Sequence, residues 1–265
     1  MTVLIIGAME NEVEALISSF GAKSSDGNAF SVDKGGNRIV IAKSGVGKVN
    51  AAAATQKLID TYKPDRIINT GVAGGVANDI ELGEIVIASK LAYHDFHPLE
   101  ILERNPPFSR LFTADETLVS LAERACEALG AKYRTGVVVS GDCFVNDNDV
   151  KRRLREEFTA ECTEMEGAAV AHVCLINDVP FAVIRAVCDF ANASAELINH
   201  FEQTAAHHAA SITQYIINNI NVVSHRSFAF ISYGYVLYRW FYIYPTYPLT
   251  VIIIKKYTEV IFSIS

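Results

Sequence analysis

Residues 163–191 read TEMEGAAVAHVCLINDVPFAVIRAVCDFA and contain two regular elements separated by a break. Apolar side chains recur at helical spacing in the first half, which predicts an amphipathic helix from Glu164 to about Asn177. Pro180 cannot continue that helix. The run from Phe181 to Val187 is almost entirely apolar, as in a strand that is covered on both faces. A helix followed directly by such a strand indicates an α/β fold.

Acidic residues mark the boundaries of these two elements. Glu164 and Glu166 open the predicted helix, and Asp189 follows the strand. Ligands of open α/β sheets bind at the carboxyl ends of strands, so Asp189 is a candidate site residue. A local role explains the same pattern, because Thr163 and Glu166 have capping-box spacing and acids are stabilising in a first helical turn. On the pattern alone, the local interpretation is favoured.

Composition limits the classes of protein to consider. The chain has 265 residues, 50% of them apolar, which suits one α/β domain with a sizeable core. Its net charge of -7 gives no indication of binding to nucleic acid or to an anionic membrane. Five cysteines without a C-x-x-C pair predict reduced thiols in a cytoplasmic protein. We expect no signal peptide, because the first residues lack a basic segment.

The rest of the chain alternates between strand and helix patterns. Strands are predicted at Thr2–Ile6, Phe30–Val32, Ile39–Ala42, Arg66–Asn69, Glu84–Ala92 and Arg134–Val139. Helices are predicted at Glu10–Phe20, Val49–Tyr62, Asp115–Leu129, Asn148–Phe158 and Glu196–Ile220. A glycine-rich loop at Thr70–Gly75 can bring the backbone close to a ligand, but an ordinary flexible turn is the favoured interpretation of such a loop alone. Phe96–Phe112 contains three prolines and is predicted to be a long irregular loop.

Two motifs partly match known ligand sites. SGVGK at 44–48 lacks the first glycine and the final Ser or Thr of a phosphate-binding loop, so it is predicted to be a tight turn into the next helix. His94 and Asp95 form one pair, whereas a metal site needs three or four converging ligands. We interpret this pair as structural, or as the edge of a pocket.

Five motifs in order resemble the 5'-methylthioadenosine/S-adenosylhomocysteine nucleosidases, which belong to the nucleoside phosphorylase family. They are IIGAMENEV at 5–13, SGVGKVNAA at 44–52, IINTGVAGG at 67–75, VSGDCFV at 139–145, and the 163–191 segment with TEMEGAAVAHV and VIRAVCDFA. Together they run from about Val3 to about Ile220. Five motifs in the right order are far more specific than any one of them.

The resemblance implies a fold, an activity and an assembly. The fold is α/β, a single-domain central mixed β-sheet flanked by helices, and it spans residues 1–220. The activity is hydrolysis of the N-glycosidic bond of methylthioadenosine and adenosylhomocysteine, without a metal or organic cofactor. The partners are the adenine nucleoside substrate and a second copy of the chain, in a cytoplasmic homodimer with no nucleic acid or membrane partner.

The resemblance also implies the catalytic roles. Glu12 activates the attacking water, and Arg185 orients Glu12. Asp189 protonates adenine at N7 or holds a protonated partner there. Glu166 accepts hydrogen bonds from the ribose hydroxyl groups, and Met165 packs on the sugar.

The same family pattern supplies the remaining contacts to the substrate. Phe144 stacks on adenine, although from one residue alone a place in the core would be the safer interpretation. The backbone of Val145 hydrogen-bonds the edge of the base. Glu164, Ala73 and Gly74 complete the predicted substrate-binding set.

The chain departs from the family at two places near the predicted site. Val72 stands where many members carry a serine whose hydroxyl helps to place ribose or water. The 96–112 loop differs from the loop that, in relatives, covers the 5'-substituent in the neighbouring subunit. The sequence therefore leaves the preferred 5'-substituent open.

Three alternatives remain at this stage. A phosphorylase of the same fold would need arginines near the phosphate, and no arginine precedes Arg38, which favours hydrolysis. A futalosine hydrolase would keep the reaction and change the substrate. A non-catalytic nucleoside-binding or storage protein would be favoured by loss of a catalytic carboxylate, but Glu12, Glu166 and Asp189 are all present.

Residues 221–265 form an aromatic-rich tail outside the family pattern. Its apolar runs, Phe228–Tyr238 and Trp240–Ile254, are shorter than the ~18 residues of a membrane span. The bias towards Ile, Tyr and Ser suggests translation of AT-rich DNA after a frameshift or read-through. An intact mass that corresponds to all 265 residues, measured on protein from the native source, would contradict this hypothesis.

Overall fold

A computed structural model describes residues 1–26, 29–191, 195–227, 254–256 and 259–261. The described strands are β1 (Thr2–Gly7), β2 (Lys23–Asp26), β3 (Ala29–Lys34), β4 (Asn37–Lys43), β5 (Arg66–Gly75), β6 (Ile85–Tyr93), β7 (Phe112–Thr113), β8 (Tyr133–Ser140), β9 (Ala160–Glu164), β10 (Phe181–Asp189), β11 (Ile254–Lys256) and β12 (Glu259–Ile261). The described helices are α1 (Glu10–Phe20), α2 (Lys48–Tyr62), α3 (Glu100–Arg104), α4 (Glu116–Leu129), α5 (Asn148–Phe158), α6 (Gly167–Ile176) and α7 (Ala195–Ser227).

The chain divides into two compact units, Met1–Ile220 and Asn221–Ser265. In the second unit, β11 and β12 pair antiparallel. The tail's predicted apolar runs lie outside the described residues, except for Ile254. Of the helices that the structure describes, none is both long and apolar enough to cross a membrane.

The first unit is built on one mixed sheet, as predicted. Five of its strands close into a ring: β5 pairs with β10, β10 with β6, β6 with β8, β8 with β9, and β9 with β5 again. Strands β1, β4, β3 and β2 continue the sheet outward from β5 in that order. Helices flank this sheet, so the predicted α/β class with a central mixed sheet is confirmed.

Burial explains why these segments form strands. Every residue of β10 is buried, which matches the continuous apolar run seen in the sequence. In β1, the five residues from Val3 to Gly7 are buried as well. The hairpin between β3 and β4 turns at Gly35 and Gly36, both of which have positive φ, as a two-residue hairpin turn requires.

One helix end and one helix start show how local chemistry sets the boundaries. The predicted helix at Glu10–Phe20 is confirmed as α1, and it ends where Gly21 takes a left-handed conformation. Helix α4 begins after Asp115, whose side chain accepts the Leu118 N–H at 2.9 Å as an N-cap.

Three predictions of local structure were wrong. Glu164 does not open a helix, because Ala160–Glu164 forms β9 and α6 begins only at Gly167. Thr70–Gly75 is not a loop but the second half of β5, extended by its pairing with β9 and β10. The 96–112 loop is not wholly irregular, since it contains α3.

Candidate active site

A cavity of about 220 Å³ lies where the carboxyl ends of β1, β8, β9 and β10 meet. It is lined by nine of the ten residues that the sequence predicts for the site: Glu12, Ala73, Gly74, Phe144, Val145, Glu164, Met165, Glu166 and Asp189. The tenth, Arg185, is buried behind Glu164. The fold therefore brings together residues that are up to 177 positions apart in the chain.

Glu12 is a buried carboxylate held by backbone N–H groups directly after β1 and within β5. Its Oε2 accepts the N–H groups of Ala8 (2.6 Å) and Met9 (2.9 Å), and its Oε1 accepts the Val72 N–H (3.0 Å). Burial raises the pKa of Glu12 above its ordinary value, although the charge of Arg185 and the three N–H groups oppose the rise. A fixed carboxylate with a raised pKa suits a general base.

Gly71 leaves the space that the Glu12 carboxylate occupies. A Cβ at position 71 would overlap Glu12, lying 2.8 Å from its Cδ, and would come within 3.0 Å of Arg185 Nη1. Gly71 pairs with Arg185 across β5 and β10. A glycine in a strand often marks such a close approach.

Arg185 is a fully buried cation in the middle of β10. Its Nη2 donates to Asn69 Oδ1 at 2.6 Å and to Glu164 Oε2 at 2.5 Å. The guanidinium acts on Glu12 through its charge, which lowers the pKa of that carboxyl. A buried charge needs a partner, and Glu164 supplies it.

Both oxygens of the Glu164 carboxylate accept hydrogen bonds from other groups of the protein. Its Oε2 accepts the N–H groups of Glu166 (2.9 Å) and Gly167 (2.6 Å), and its Oε1 accepts the Ser140 hydroxyl. Burial alone would raise the pKa of Glu164, but Arg185, Ser140 and the Gly167 N–H outweigh it and the pKa is lowered. Glu164 is therefore ionised and fixes the turn between β9 and α6.

Glu166 lies just before α6 and does not form the capping box with Thr163. Its Oε1 accepts the N–H of Gly47 at 2.8 Å, from the loop that leads into α2. Burial, together with the negative charge of Glu164, raises the pKa of Glu166 to about 7. Glu166 thus changes charge near neutral pH.

Asp189 owes its position to an irregularity at the end of β10. Val187 pairs with Ala73 and Asp189 pairs with Gly74, so Cys188 is an extra residue between them. Bulges of this kind re-aim a side chain. Asp189 Oδ1 then accepts the Ala191 N–H at 2.6 Å, and its Oδ2 accepts the Cys188 thiol at 3.4 Å.

The remaining wall of the cavity is apolar. Phe144 is 47% exposed at the cavity, whereas Val145 beside it is buried. Met9 and Met165 also line the cavity. An exposed aromatic ring next to flexible apolar side chains offers a stacking surface for a planar base.

Sequence reasoning missed several residues of this cavity. The lining also includes Ala8, Met9, Val46, Val72, Cys143, Thr163, Cys188 and Glu202. Four of them directly adjoin predicted site residues in the sequence, and this adjacency could have identified them: Val72, Cys143, Thr163 and Cys188. Asn69 does not line the cavity, but a polar residue in an apolar strand could have been recognised as unusual. It is 1% exposed and accepts a hydrogen bond from Arg185. Glu202 lies in α7 and no sequence pattern connects it to the site.

The charges of the cavity favour some ligands over others. Its lining contains five carboxylates, Glu12, Glu164, Glu166, Asp189 and Glu202, and no Lys or Arg from the described residues. Such a lining favours hydroxyl donors and developing positive charge over a phosphate group. A second, wider depression of about 660 Å³ lies between α1 and α7, but its titratable residues are only Glu14 and His207. Within the described ranges, no group of three or more potential metal ligands comes together.

An α/β fold whose cavity combines several carboxylates with an exposed aromatic ring is typical of enzymes that act on small polar molecules with a planar ring. The chain belongs to the Phosphorylase superfamily, whose sequence model matches residues 2–218. Within that superfamily, its relatives include 5'-methylthioadenosine/S-adenosylhomocysteine nucleosidases. One of them, from Shewanella pealeana, is 39% identical over 223 residues, which cover 79% of this chain and 96% of the relative.

Solved structures agree with this assignment. The 5'-methylthioadenosine/S-adenosylhomocysteine nucleosidase from Neisseria meningitidis, in complex with methylthio-immucillin-A, is 35% identical with a TM-score of 0.77. The similarity covers 82% of this chain and 99% of that one. The futalosine hydrolase of Helicobacter pylori is also similar, at 27% identity and a TM-score of 0.77, over 83% of this chain and 98% of that one.

Proposed function

We propose that the protein hydrolyses the N-glycosidic bond of 5'-methylthioadenosine and S-adenosylhomocysteine and releases adenine and a 5-thioribose product. The observation that carries the proposal is that Glu12, a buried carboxylate with a raised pKa, shares one cavity with Asp189 and Glu166. The relatives named above as nucleosidases of these two substrates support the choice of substrate.

Glu12 is the general base of the proposed reaction. It takes a proton from water as the water attacks ribose C1' and the bond to adenine N9 breaks. The ribose then has oxocarbenium character, as in other glycosyl hydrolysis. Three backbone N–H groups keep the carboxylate in one orientation, and burial raises its affinity for the proton.

Asp189 assists the leaving group. Adenine leaves poorly as an anion, so its N7 must gain a proton as the bond breaks. The Ala191 N–H holds Asp189 Oδ1 at 2.6 Å, whereas Oδ2 accepts only the weak thiol donor of Cys188 at 3.4 Å, so we assign the proton transfer to N7 to Oδ2. Phe144 stacks on the base, and the backbone of Val145 binds its edge, at the apolar wall of the same cavity.

Glu166 binds the sugar. An ionised carboxylate accepts hydrogen bonds from the 2'- and 3'-hydroxyl groups, and Met165 packs against the ribose. The Gly47 N–H holds Oε1 of Glu166 and leaves Oε2 for the ligand. Glu164 contributes by fixing the 164–167 turn, because protein donors already occupy its oxygens.

The test is to incubate purified protein with methylthioadenosine, with and without phosphate, and to separate adenine and the sugar product by chromatography. Release of adenine and free methylthioribose without phosphate is the expected result. Release of adenine that requires phosphate would make the protein a phosphorylase. No release of adenine, with or without phosphate, would contradict the proposal. Futalosine belongs in the same assay, since one similar structure is a futalosine hydrolase.

A homodimer is also part of the proposal. Exposed apolar side chains lie on α2 (Val49, 78% exposed), in the 96–112 loop (Phe108, 67% exposed) and at the end of α6 (Ile176, 54% exposed). These elements are neighbours: Asn177 hydrogen-bonds Gln56 of α2, and His172 of α6 bonds the Pro106 carbonyl of the loop. Burial of this surface against a second copy would remove it from water.

The proposed compartment is the cytoplasm. All five cysteines are free, and four of them are buried. Reduced thiols are typical of cytosolic proteins. Fractionation of the native cells, with detection of the protein by antibody, tests this part of the proposal, and recovery outside the cytosolic fraction would contradict it.

A further inference from the structure

One ion-pair cluster beside the cavity has no role in the proposed mechanism. Lys48 Nζ lies 2.6 Å from Asp95 Oδ1 and 3.7 Å from Asp142 Oδ2. Asp95 Oδ2 accepts the Asp142 N–H at 2.8 Å, and Asp142 Oδ1 accepts the Lys48 N–H at 2.8 Å. Each of the three residues is therefore bonded to both of the others.

The cluster joins three segments that reach the cavity from different elements. Asp142 directly precedes Cys143, Phe144 and Val145, which line the cavity. Lys48 is the first residue of α2, directly after the Gly47 whose N–H holds Glu166. Asp95 lies two residues after β6, and its carboxylate accepts hydrogen bonds from both Lys48 and the Asp142 N–H.

Close packing leaves the cluster little freedom to rearrange. A Cβ at Gly47 would lie 3.2 Å from Asp142 Oδ1, and a Cβ at Gly141 would overlap the buried ring of His94 and lie 3.1 Å from Asp95 Cγ. The side chains of Lys48 and Asp95 are only 20% and 28% exposed. Partial burial keeps water and salt from screening this pair as they screen surface ion pairs.

We propose that Lys48, Asp95 and Asp142 form a clamp that positions Glu166 and the Phe144–Val145 segment together. They are positioning residues, because none of their side chains lines the cavity. One cluster thereby sets both the sugar-binding and the base-binding side of the site. The inference rests on the proposed function, since it assigns the clamp to the substrate contacts of that reaction.

The clamp has a consequence that a merely stabilising cluster would lack. Burial is the main cause of the raised pKa of Glu166, and the charges of Glu164 and Glu12 raise it further, whereas Arg185 and the Gly47 N–H lower it. If the clamp opens and Gly47 moves away, the pKa of Glu166 rises. Glu166 is then protonated at a higher pH and accepts the ribose hydroxyl groups less well.

The experiment compares the full-length protein with Lys48→Met, Asp95→Asn and the control Lys132→Met. Lys132 makes an ion pair of the same length, 2.6 Å to Glu81, at the opposite end of β8. Three quantities are measured for each protein: the Kd for adenine by calorimetry, kcat/KM for methylthioadenosine across pH, and the melting temperature. Asp95→Asn preserves the shape of the side chain, so it carries the test if Lys48→Met folds poorly.

We expect both clamp variants to bind adenine about tenfold more weakly and to lose about tenfold or more in kcat/KM, because small misplacements of substrate contacts are costly. The acidic limb of their kcat/KM profile should also move to higher pH, while Lys132→Met behaves as wild type. Unchanged adenine binding and an unshifted limb in folded clamp variants would overturn the clamp. If wild-type protein binds adenine but hydrolyses nothing, the proposed reaction fails, and adenine binding by the variants still decides the base-side role.

Discussion

Glu12 is the residue whose chemistry the proposed reaction needs most. Replacing Glu12 with Gln keeps its size and removes the base, so we expect kcat to fall by about 10²- to 10⁴-fold. Binding should persist, because the amide oxygen can still accept one of the N–H groups of Ala8, Met9 or Val72. Single-turnover kinetics with methylthioadenosine and calorimetric binding of the substrate separate the two effects. A variant with the wild-type rate would remove Glu12 from the mechanism.

Glu166 should control how activity depends on pH. Its pKa is raised to about 7, and the ionised form accepts hydroxyl donors, so substrate binding should weaken as the pH falls through about 7. In Glu166→Gln the group that titrates near pH 7 is gone, so its contribution to the acidic limb is lost. The acidic limb of kcat/KM should therefore move to lower pH, with a lower plateau.

The measurement is kcat/KM from about pH 5 to 9 in buffers of constant ionic strength. Because Glu12, Glu164 and Glu166 interact, the apparent values belong to the cluster rather than to single residues. An identical limb in wild type and Glu166→Gln would show that Glu166 does not govern it. Glu161→Gln, at a half-buried carboxylate bonded to Arg134, is the matched control outside the cavity.

At the scale of elements, β5 leaves room for the Glu12 carboxylate because Gly71 has no side chain. In Gly71→Ala the new methyl group would overlap the Glu12 carboxylate and crowd Arg185. We expect a loss of about 1–3 kcal/mol in stability from overpacking, together with a strong loss of kcat. Urea unfolding and the methylthioadenosine assay measure the two quantities. Gly130→Ala is the control for activity: Gly130 has open space around it but a positive φ, so the variant should lose some stability through backbone strain and keep its kcat.

Helix α4 offers a separate test of how elements begin. Asp115 accepts the Leu118 N–H at 2.9 Å and lies 3.4 Å from Arg66 Nη1. Removing the cap in Asp115→Ala should cost about 1 kcal/mol, whereas Asp115→Asn keeps an acceptor and should cost less. Denaturant titrations of the two variants give the difference directly. Equal stability of both variants would mean that the cap contributes little.

At the scale of the whole molecule, the exposed apolar surface of α2, α6 and the 96–112 loop predicts self-association. We expect the wild-type protein to have the mass of a dimer in light scattering. Val49→Glu puts a charge on the most exposed of these side chains and should shift the mass towards that of a monomer. The control variant is Leu129→Glu, because Leu129 is half-exposed at the end of α4. Val46→Glu is unsuitable as a control because Val46 lines the cavity. A monomeric wild type would contradict the homodimer.

Closure of the sheet is also a property of the whole molecule. Strand β9 has five residues, and only two of them, Cys162 and Thr163, pair with β5, opposite Gly75 and Gly74. That short contact completes the ring and brings Thr163 and Glu164 beside the cavity. Stability at this point depends on pairing between distant segments rather than on the propensity of β9 itself.

The sequence by itself determined the elements whose patterns are local. Helix α1, strand β10 and the β3–β4 hairpin follow from apolar spacing and turn glycines, because these depend on neighbours within a few residues. The motifs around Glu12 and Asp189 also identified most of the cavity lining.

Only the tertiary structure decided the rest. The strand at Ala160–Glu164, the bulge at Cys188 and the partners of Glu164 arise from pairings between residues far apart in the chain. Glu202 enters the cavity lining from α7 for the same reason. A helix or hairpin is set by contacts a few positions apart, whereas strand register, sheet closure and the pKa of a buried carboxyl are set by what the whole fold brings next to it.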